Sequence, residues 1–275
     1  MGADPRTHIP KSYVPKLGRY TVSSPVTPLH RRPSQRSGLE TQLLWGWQFD
    51  VYDIKKSWAW GQSQSPIKGS KQKGYVGYIP LKYLRDKSLT SNHKVSVLKA
   101  PLFSKADIKS PIKAHLHLGA LLKVKKISDK FFQLESGEFI HANHLRSRSL
   151  PPSETDFVTI AEQHIGLPYI WGGLSTDGLD CSGLVQSSLR AAGIDAPRDA
   201  DMQEEGLGAN LPLNRSGLKR GDLIFWKGHV GIMTSARAMI HANAYHMCVK
   251  IEPLADAVKR IEGSGGGEIR AIKRF

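Results

Sequence analysis

The stretch GLDCSGLVQ, residues 178–186, contains one of the two cysteines in a chain of 275 residues. Asp180 is a residue type favoured at helix N-caps, and apolar residues follow Cys181 at helical spacing as far as Ala192. Gly193 is typical of the position just past a helix end. The pattern therefore predicts a helix from Cys181 to Ala192 whose first turn holds the thiol.

Cys181 admits two interpretations. Backbone N–H groups in the first turn of a helix favour negative charge, so the pKa of the thiol is expected to fall and the thiolate would act as a nucleophile. The alternative is a buried core residue on an apolar helix. Cys248, within HMCVKI (246–251), has no helix start beside it and is interpreted as a core residue of a strand.

A cysteine nucleophile needs a base and a group that orients the base. His229 begins one apolar run, and His241 lies 12 residues further along, in the next run. If the chain turns near Ala236, both imidazoles project from one face of a hairpin, about one diagonal step apart. The hypothesis is a relay in which Cys181 attacks, His229 moves the proton and His241 orients His229. The alternative is two histidines that are satisfied within a sheet.

The chain that follows LPPSETD (150–156) has the pattern of an α+β domain. Ser153 and Asp156 resemble a capping box ahead of an apolar pattern at helical spacing. After the two predicted helices, the residues from 222 onward form apolar runs that are typical of strands. Helices first and strands afterwards predict an α+β domain over residues 153–275.

The first half of the chain is typical of small all-β domains. Residues 1–22 are rich in proline and charge and are expected to form a flexible arm; short apolar runs broken by glycine, proline and lysine follow. A weak internal repeat at an offset of 73 places Gly46 on Gly119. These features predict two β-barrels in tandem, over residues 23–88 and 93–149.

Charge is divided unequally along the chain. The net charge is +15, and residues 1–150 contain 26 Lys and Arg against 9 Asp and Glu, whereas the remainder contains 13 against 15. A basic surface can attract an anionic partner such as a cell-wall fragment, and the alternative is a well-solvated surface without a partner. Because the charges are scattered and no nucleic-acid-binding motif accompanies them, no nucleic acid partner is expected.

Other features limit the class of protein. Two widely separated cysteines do not make a disulfide framework, the first 20 residues lack an apolar signal segment, and no run reaches the roughly 18 apolar residues of a membrane span. These features predict a soluble, cytoplasmic protein. The histidines lack metal-ligand spacing, so neither a metal nor another cofactor is expected. The sequence does not predict the oligomeric state.

Three segments, in order, resemble the NlpC/p60-type cell-wall cysteine peptidases: GLPYIWGGLSTDGLDCSGLVQ (166–186), LKRGDLIFWKGHVGIM (218–233) and IHANA (240–244). The ending GYVGYI (74–79) is similar to bacterial SH3-like domains. The resemblance implies a multidomain enzyme in which two small all-β SH3-like barrels precede an α+β papain-like catalytic domain. It also implies hydrolysis of the γ-D-glutamyl–L-diamino acid bond in peptidoglycan stem peptides, notably recycled fragments with a free N-terminal L-Ala.

The resemblance assigns roles residue by residue. Cys181 matches the nucleophile, His229 the general base and His241 the third polar residue. An acidic residue beside the nucleophile would hold the free α-amino group of the substrate, since a carboxylate pairs with an ammonium. The residues matched to this pocket are Asp180, Ser182 and Tyr169.

Further pocket assignments have alternatives. Arg198, within PRDAD (197–201), is expected to bind a substrate carboxylate. The alternative is that Asp199 forms an ion pair with Arg198 and holds it in place. Tyr75 or Tyr78 is expected to cap the pocket, the alternative for either being a core aromatic of the barrel.

One departure from the family concerns specificity. This chain has Gly46-Trp47 where many relatives have Gly-Glu, and in those relatives the Glu contributes to recognition of the amine. Strict dependence on a free N-terminus is therefore in question. The sequence also does not predict which diamino acid follows the D-glutamate.

Two other functions remain open at this point. The first is a non-catalytic module that binds the cell wall, for which SH3-like domains and a basic surface would suffice. The second is an amidase or acyltransferase that uses the same Cys-His-His site on a different bond.

Overall fold

The computed structural model describes residues 4–13, 16–85 and 89–275. The chain divides into two compact units, Met1–Ser153 and Glu154–Phe275. Among the described residues, no helix has both the length and the apolar character needed to cross a membrane.

The N-terminal unit is built mostly of short antiparallel strands. Three 3-10 helices, Lys11–Tyr13, Leu81–Tyr83 and Ala142–His144, interrupt them. The strands are β1 (Gly18–Val22), β2 (Val26–His30), β3 (Leu39–Leu44), β4 (Gln48–Lys55), β5 (Trp58–Gln64), β6 (Lys73–Pro80), β7 (Leu84–Arg85), β8 (His93–Val95), β9 (Lys99–Phe103), β10 (Ile112–His117), β11 (Leu121–Leu122), β12 (Val124–Lys126), β13 (Phe131–Leu134), β14 (Phe139–His141) and β15 (Leu145–Ser147).

These strands form three sheets. The first has seven strands in the order β3-β2-β6-β5-β4-β1-β7, the second has five in the order β10-β9-β14-β13-β12, and the third has three in the order β11-β8-β15. Alternate side chains of a strand face opposite sides, so each strand places one set in the core. In β6, for example, Tyr75 and Ile79 are buried whereas Val76 and Tyr78 are partly exposed.

The prediction of a flexible arm over residues 1–22 is wrong for its last part. β1 pairs with both β4 and β7, and Arg19 binds the buried carboxylate of Asp50 at 2.6 Å. Further upstream, the ring of Tyr13 stacks on Trp60 with 4.0 Å between centroids. Arg19 is one of the charged residues that suggested a flexible arm. Composition alone does not reveal that it pairs with a buried acid.

The chain at Gly46 approaches a second turn of the same unit very closely. Gly46 has a φ of +78°, and a Cβ atom there would lie 1.8 Å from the carbonyl oxygen of Leu121, so only glycine fits. The adjacent Trp47 is 6% exposed and donates its indole N–H to the carbonyl oxygen of Gly119 at 3.0 Å. Trp47 is therefore a core residue that ties two turns together.

The C-terminal unit combines four helices with eight strands among its described residues. Its helices are α1 (Phe157–Glu162), α2 (Cys181–Ala191), α3 (Ala200–Gly206) and α4 (Leu254–Gly263). Its strands are β16 (Leu174–Ser175), β17 (Gly178–Leu179), β18 (Ala209–Leu211), β19 (Leu223–Trp226), β20 (His229–Met233), β21 (Ala238–Asn243), β22 (Cys248–Pro253) and β23 (Ala271–Arg274).

A six-stranded antiparallel sheet in the order β18-β23-β19-β20-β21-β22 forms the centre of this unit. Helix α2 packs against β20 and β21, and α4 packs against β22. The buried cluster that joins α4 to the sheet consists of Leu218, Ile224, Trp226, Met233, Met239, Leu254, Ala257, Val258, Ile261 and Ile272. The packing of α2 on the middle strands brings its first residue to the sheet.

Two local predictions for this unit need correction. The N-cap of α1 is Asp156, whose carboxylate accepts the N–H of Val158 at 2.9 Å, and not Ser153. The sequence analysis assigns all residues from 222 onward to strands, because apolar runs typical of strands come first. It therefore does not predict helix α4. Its buried residues recur at helical spacing from Leu254 to Ile261, which is the signal that was overlooked.

Candidate active site

Cys181 is the first residue of α2, as the sequence predicts. The carboxylate of Asp180, at the N-cap, accepts the N–H of Gly183 at 2.7 Å. The helix ends at Ala191, and Gly193 follows with a φ of +88°, a conformation that stops helices and suits glycine. The thiol is thus carried by a helix whose two ends are both defined by the local sequence.

The sulfur of Cys181 lies beside the start of β20. Its Sγ is 4.0 Å from the carbonyl oxygen of Gly228, and the N–H of Val230 is placed to stabilise the thiolate. His229 lies between these two residues. The structure therefore brings the predicted nucleophile to the strand end that carries the predicted base.

The expectation that the helix start lowers the pKa of the thiol is wrong. Burial, followed by the charge of Asp180, raises the pKa of Cys181 to about 12. The N–H groups of Val230 and Ser182 oppose this shift but do not outweigh it, because the sulfur is withdrawn from water. A thiol with this pKa is neutral at pH 7.

The predicted histidine pair is confirmed in its geometry. β20 and β21 pair with Ile232 opposite Ile240, so that the hairpin is centred on Ala236. The Nε2 atom of His229 lies 2.8 Å from Nδ1 of His241, whose side chain is fully buried. The alternation of strand residues was sufficient to predict this contact.

A third strand adds a residue that sequence analysis missed. Nε2 of His241 lies 2.5 Å from Oε1 of Glu252 on β22, and Arg260 of α4 binds the same carboxylate oxygen. Glu252 is opposite Met239 in the β21–β22 pairing, two residues from His241 and therefore on the same face. The alternation of residues along MCVKIEP (247–253) predicts that Glu252 faces the same side as His241, provided that β22 lies beside β21.

These contacts fix the charges of the three groups. Burial, together with the proximity of His241, lowers the pKa of His229 to about 3, and burial also lowers the pKa of His241. Burial raises the pKa of Glu252, but the hydrogen bond from His241 and the charge of Arg260 outweigh it and bring the value to about 2. At neutral pH both imidazoles are neutral and Glu252 is ionised.

Arg198 binds Asp180, and its contact with a substrate carboxylate stays a prediction. Its Nη1 and Nη2 lie 2.8 and 2.7 Å from Oδ1 and Oδ2 of Asp180, and Nη2 also donates to the carbonyl oxygen of Gly173 at 3.0 Å. The guanidinium is buried and already has its bidentate partner. Asp199 lies at the N-cap position of α3.

The other predicted pocket residues surround the same carboxylate. The hydroxyl of Ser182 donates to Asp180 at 3.3 Å, and the N–H of Gly172 donates to it at 2.8 Å. Burial and then the charges of Cys181 and Asp180 raise the pKa of Tyr169 to about 12. Tyr169, Asp180 and Ser182 therefore cluster at Cys181, while their roles toward a substrate stay predictions.

Two of the predicted pocket residues belong to the N-terminal unit. Tyr75 is 4% exposed and shares a face of β6 with Ile79, which favours the core interpretation. Tyr78 is only partly buried and lies opposite Trp60 on β5. Contact of either tyrosine with a substrate stays a prediction.

No group of three or more His, Cys, Asp or Glu side chains in the described part of the chain could hold a metal ion.

Comparison with known protein families places these residues in a recognised domain. Residues 166–260 match the NlpC/P60 family, and residues 29–84 match the bacterial dipeptidyl-peptidase SH3 domain. The chain contains an NlpC/P60 domain preceded by a bacterial dipeptidyl-peptidase SH3 domain. The NlpC/P60 domain includes Cys181 and both histidines of the pair.

Two curated relatives illustrate the similarity. The gamma-D-glutamyl-L-lysine dipeptidyl-peptidase of Bacillus subtilis is 27% identical over 235 residues, which cover 80% of this chain and 77% of the relative. The dipeptidyl-peptidase 6 of Lysinibacillus sphaericus is 32% identical over 122 residues, which cover 40% of this chain and 43% of the relative. Relatives of the NlpC/P60 domain are thus named as peptidases.

A solved structure shows the same fold. The crystal structure of an NlpC/P60 family protein from Bacillus cereus covers 94% of this chain and 99% of its own, with a TM-score of 0.77 and 22% identity. At this identity the likeness establishes the fold alone. The likeness agrees with a fold that is mostly β-sheet and contains an SH3 domain and an NlpC/P60 domain.

Proposed function

We propose that this chain is a cysteine endopeptidase that hydrolyses the γ-D-glutamyl–L-diamino acid bond of peptidoglycan-derived peptides. The observation that carries the proposal is the position of Cys181 at the start of α2, beside a His229 that is hydrogen-bonded to His241. The relatives named gamma-D-glutamyl-L-lysine dipeptidyl-peptidase support the choice of bond, because they align over most of the chain.

The first half of the proposed reaction forms an acyl-enzyme. Nδ1 of His229 accepts the proton of the Cys181 thiol, and the sulfur attacks the γ-carbonyl carbon of the D-glutamyl residue. The proton then passes from His229 to the nitrogen of the leaving diamino acid as the C–N bond breaks. A thioester between Cys181 and the γ-D-glutamyl group remains.

The second half releases the acyl group. His229, neutral again, accepts a proton from a water molecule whose oxygen attacks the thioester carbon. The C–S bond breaks, the proton returns to Cys181, and the peptide leaves with a free γ-carboxyl group. The chain needs no metal or cofactor for either half, because the thiol and the imidazole supply nucleophile and base.

We also propose that the N-terminal unit contains two SH3-like barrels. Gly46 and Gly119, which align in the internal repeat, both have positive φ values, +78° and +86°. A 3-10 helix precedes a short strand in each half, at Leu81–Tyr83 and at Ala142–His144. These two correspondences, together with the repeat, support a count of two barrels.

The decisive experiment is mass spectrometry of L-Ala-γ-D-Glu-meso-diaminopimelate incubated with the protein. We expect release of diaminopimelate and L-Ala-D-Glu, and none with Cys181→Ala. The same peptide with L-lysine in third position measures the preference for the diamino acid. Intact peptide in all incubations, with Cys181 still alkylated by iodoacetamide, would contradict the peptidase and favour the binding module or a different acyl substrate.

An N-acetylated copy of the peptide tests the finer proposal that a free L-Ala amine is recognised. A large loss of kcat/KM on acetylation would support recognition of the ammonium by Asp180, even though Asp180 is paired with Arg198. Equal values would remove this detail and leave the endopeptidase. A cytoplasmic location with recycled peptides as substrates stays a prediction, which fractionation of the source cells would test.

A further inference from the structure

The active site extends one residue beyond the cysteine and the two histidines. We infer that Glu252 is a positioning residue, whose carboxylate sets the tautomer and ring orientation of His241 and thereby leaves Nδ1 of His229 as the proton acceptor. This inference deepens the proposed function and rests on it.

The direction of each hydrogen bond follows from the carboxylate. An ionised Glu252 only accepts, so Nε2 of His241, at 2.5 Å, must carry the proton. A neutral imidazole has one N–H, and Nδ1 of His241 is therefore an acceptor. It receives the N–H of His229 Nε2, at 2.8 Å. The remaining nitrogen of His229, Nδ1, then has its lone pair available for the thiol proton.

The carboxylate is itself held from several sides. Arg260 of α4 binds Oε1 of Glu252, and its guanidinium stacks over the ring of Tyr245 at 4.5 Å. Nε2 of His246 lies 3.6 Å from Oε2. The Glu252 side chain is only 10% exposed, so water competes little for its oxygens. A partner fixed in this way orients His241 more firmly than a mobile surface carboxylate would.

The same contacts matter when His229 becomes charged. The imidazolium formed on proton uptake carries N–H groups on both nitrogens, and the Nε2–H remains bound to His241. Two charges behind His241 act on this imidazolium in opposite directions: Arg260 opposes it, and the negative charge of Glu252 favours it with a smaller effect. Glu252 therefore acts on His229 through the orientation and tautomer of His241 rather than through its charge.

A purely structural role for Glu252 is the competing explanation. The ion pair with Arg260 joins β22 to α4 and would stabilise the domain even if it had no effect on catalysis. The two explanations differ in what a substitution changes. A structural role changes the free energy of unfolding, whereas a positioning role also changes the imidazole tautomers and kcat of the folded enzyme.

The test compares Glu252→Ala and Glu252→Gln with the native chain. Glu252→Ala removes the acceptor, and we expect kcat to fall about 10- to 100-fold, with KM nearly unchanged because Glu252 does not touch the substrate. Glu252→Gln keeps an acceptor oxygen without the charge and should recover part of kcat. Nitrogen-15 NMR of labelled histidines should show His241 protonated at Nε2 in the native chain and a mixture of tautomers in Glu252→Ala.

Glu204→Ala is the matched control, because Glu204 pairs with Arg270 in the same domain at 3.3 Å. It should leave kcat and the histidine tautomers as in the native chain. Native kcat and native tautomers in folded Glu252→Ala, or in Glu252→Met if the alanine variant does not fold, would overturn the inference. The NMR comparison needs no substrate, so it still decides the role of Glu252 if the proposed peptide is not cleaved.

Discussion

Arg198 binds the carboxylate of Asp180 with both terminal nitrogens, at 2.8 and 2.7 Å, and Asp180 directly precedes Cys181. The N–H groups of Gly172 and Gly183 bind the same carboxylate. Asp180 therefore has two tasks in the folded state, since it caps α2 and joins the helix to the segment before α3. The charge next to the thiol is compensated within the domain.

Arg198→Met should destabilise the domain and impair the site together. We expect the free energy of unfolding to fall by about 3–5 kcal/mol, because a buried carboxylate loses its counterion. Arg220→Met is the control and should lower the free energy of unfolding much less, since Arg220 pairs with the partly exposed carboxylates of Asp156 and Glu162. Urea denaturation measures both variants. A fully stable Arg198→Met, or an unchanged kcat in the folded variant, would contradict a role for the pair in holding α2.

The two cysteines should respond in opposite ways to substitution. Cys181→Ala is expected to lower kcat/KM by at least about 10³-fold with the circular dichroism spectrum unchanged, because the variant keeps the helix but loses the nucleophile. Cys248→Ala should keep kcat/KM near the native value, since Cys248 lies in β22 at its pairing with Asn243. Peptide cleavage by Cys181→Ala would exclude the thioester mechanism.

The pH dependence of alkylation should report a thiol that is neutral at rest. Burial and Asp180 raise the pKa of Cys181 to about 12, so the thiolate fraction increases about tenfold per pH unit throughout the neutral range. We expect the rate of alkylation by iodoacetamide to rise with this slope from about pH 6 to 9, without a plateau. The Cys248→Ala variant removes the second thiol from the measurement. A plateau below pH 7 would show a preformed thiolate instead.

The ion pair of Arg19 with Asp50 predicts how the N-terminal unit responds to acid. Burial raises the pKa of Asp50, but the hydrogen bond and charge of Arg19, with Lys16, outweigh it and lower the pKa below its usual value. A lowered folded pKa contributes stability above about pH 4, and this contribution is lost as the pH falls through the folded value. Urea midpoints between about pH 2 and 6 should decline less steeply in Asp50→Asn. Parallel curves for the two proteins would contradict the assignment.

Local patterns predicted much of the catalytic unit. Helix α2, its cap at Asp180 and its stop at Gly193 follow from residues within one or two turns of each other, and the His229–His241 contact follows from alternation across one hairpin. Such signals depend on neighbours in sequence. Helix α2 and the histidine contact could therefore be predicted without knowledge of the tertiary structure.

Features that depend on burial or on distant segments were not predicted. The direction of the thiol pKa depends on how completely Cys181 is withdrawn from water, and the placement of Glu252 depends on which strand lies beside β21. The pairing of Arg198 with Asp180 joins residues 18 positions apart, which local patterns do not predict. Likewise, the charges of residues 1–22 suggested an arm because the buried Asp50 lies in another strand.

A substitution at Trp47, the residue that departs from the family pattern, tests whether Trp47 acts only in the core of the N-terminal unit. Its indole N–H binds the carbonyl oxygen of Gly119, and its ring is buried in the N-terminal unit. Trp47→Phe keeps most of the ring but removes the donor, so the free energy of unfolding should fall by about 1 kcal/mol while kcat and KM stay near their native values. Trp171→Phe, at a position that is 73% exposed, should change stability much less. A large change in KM with Trp47→Phe would show instead that Trp47 acts on the substrate.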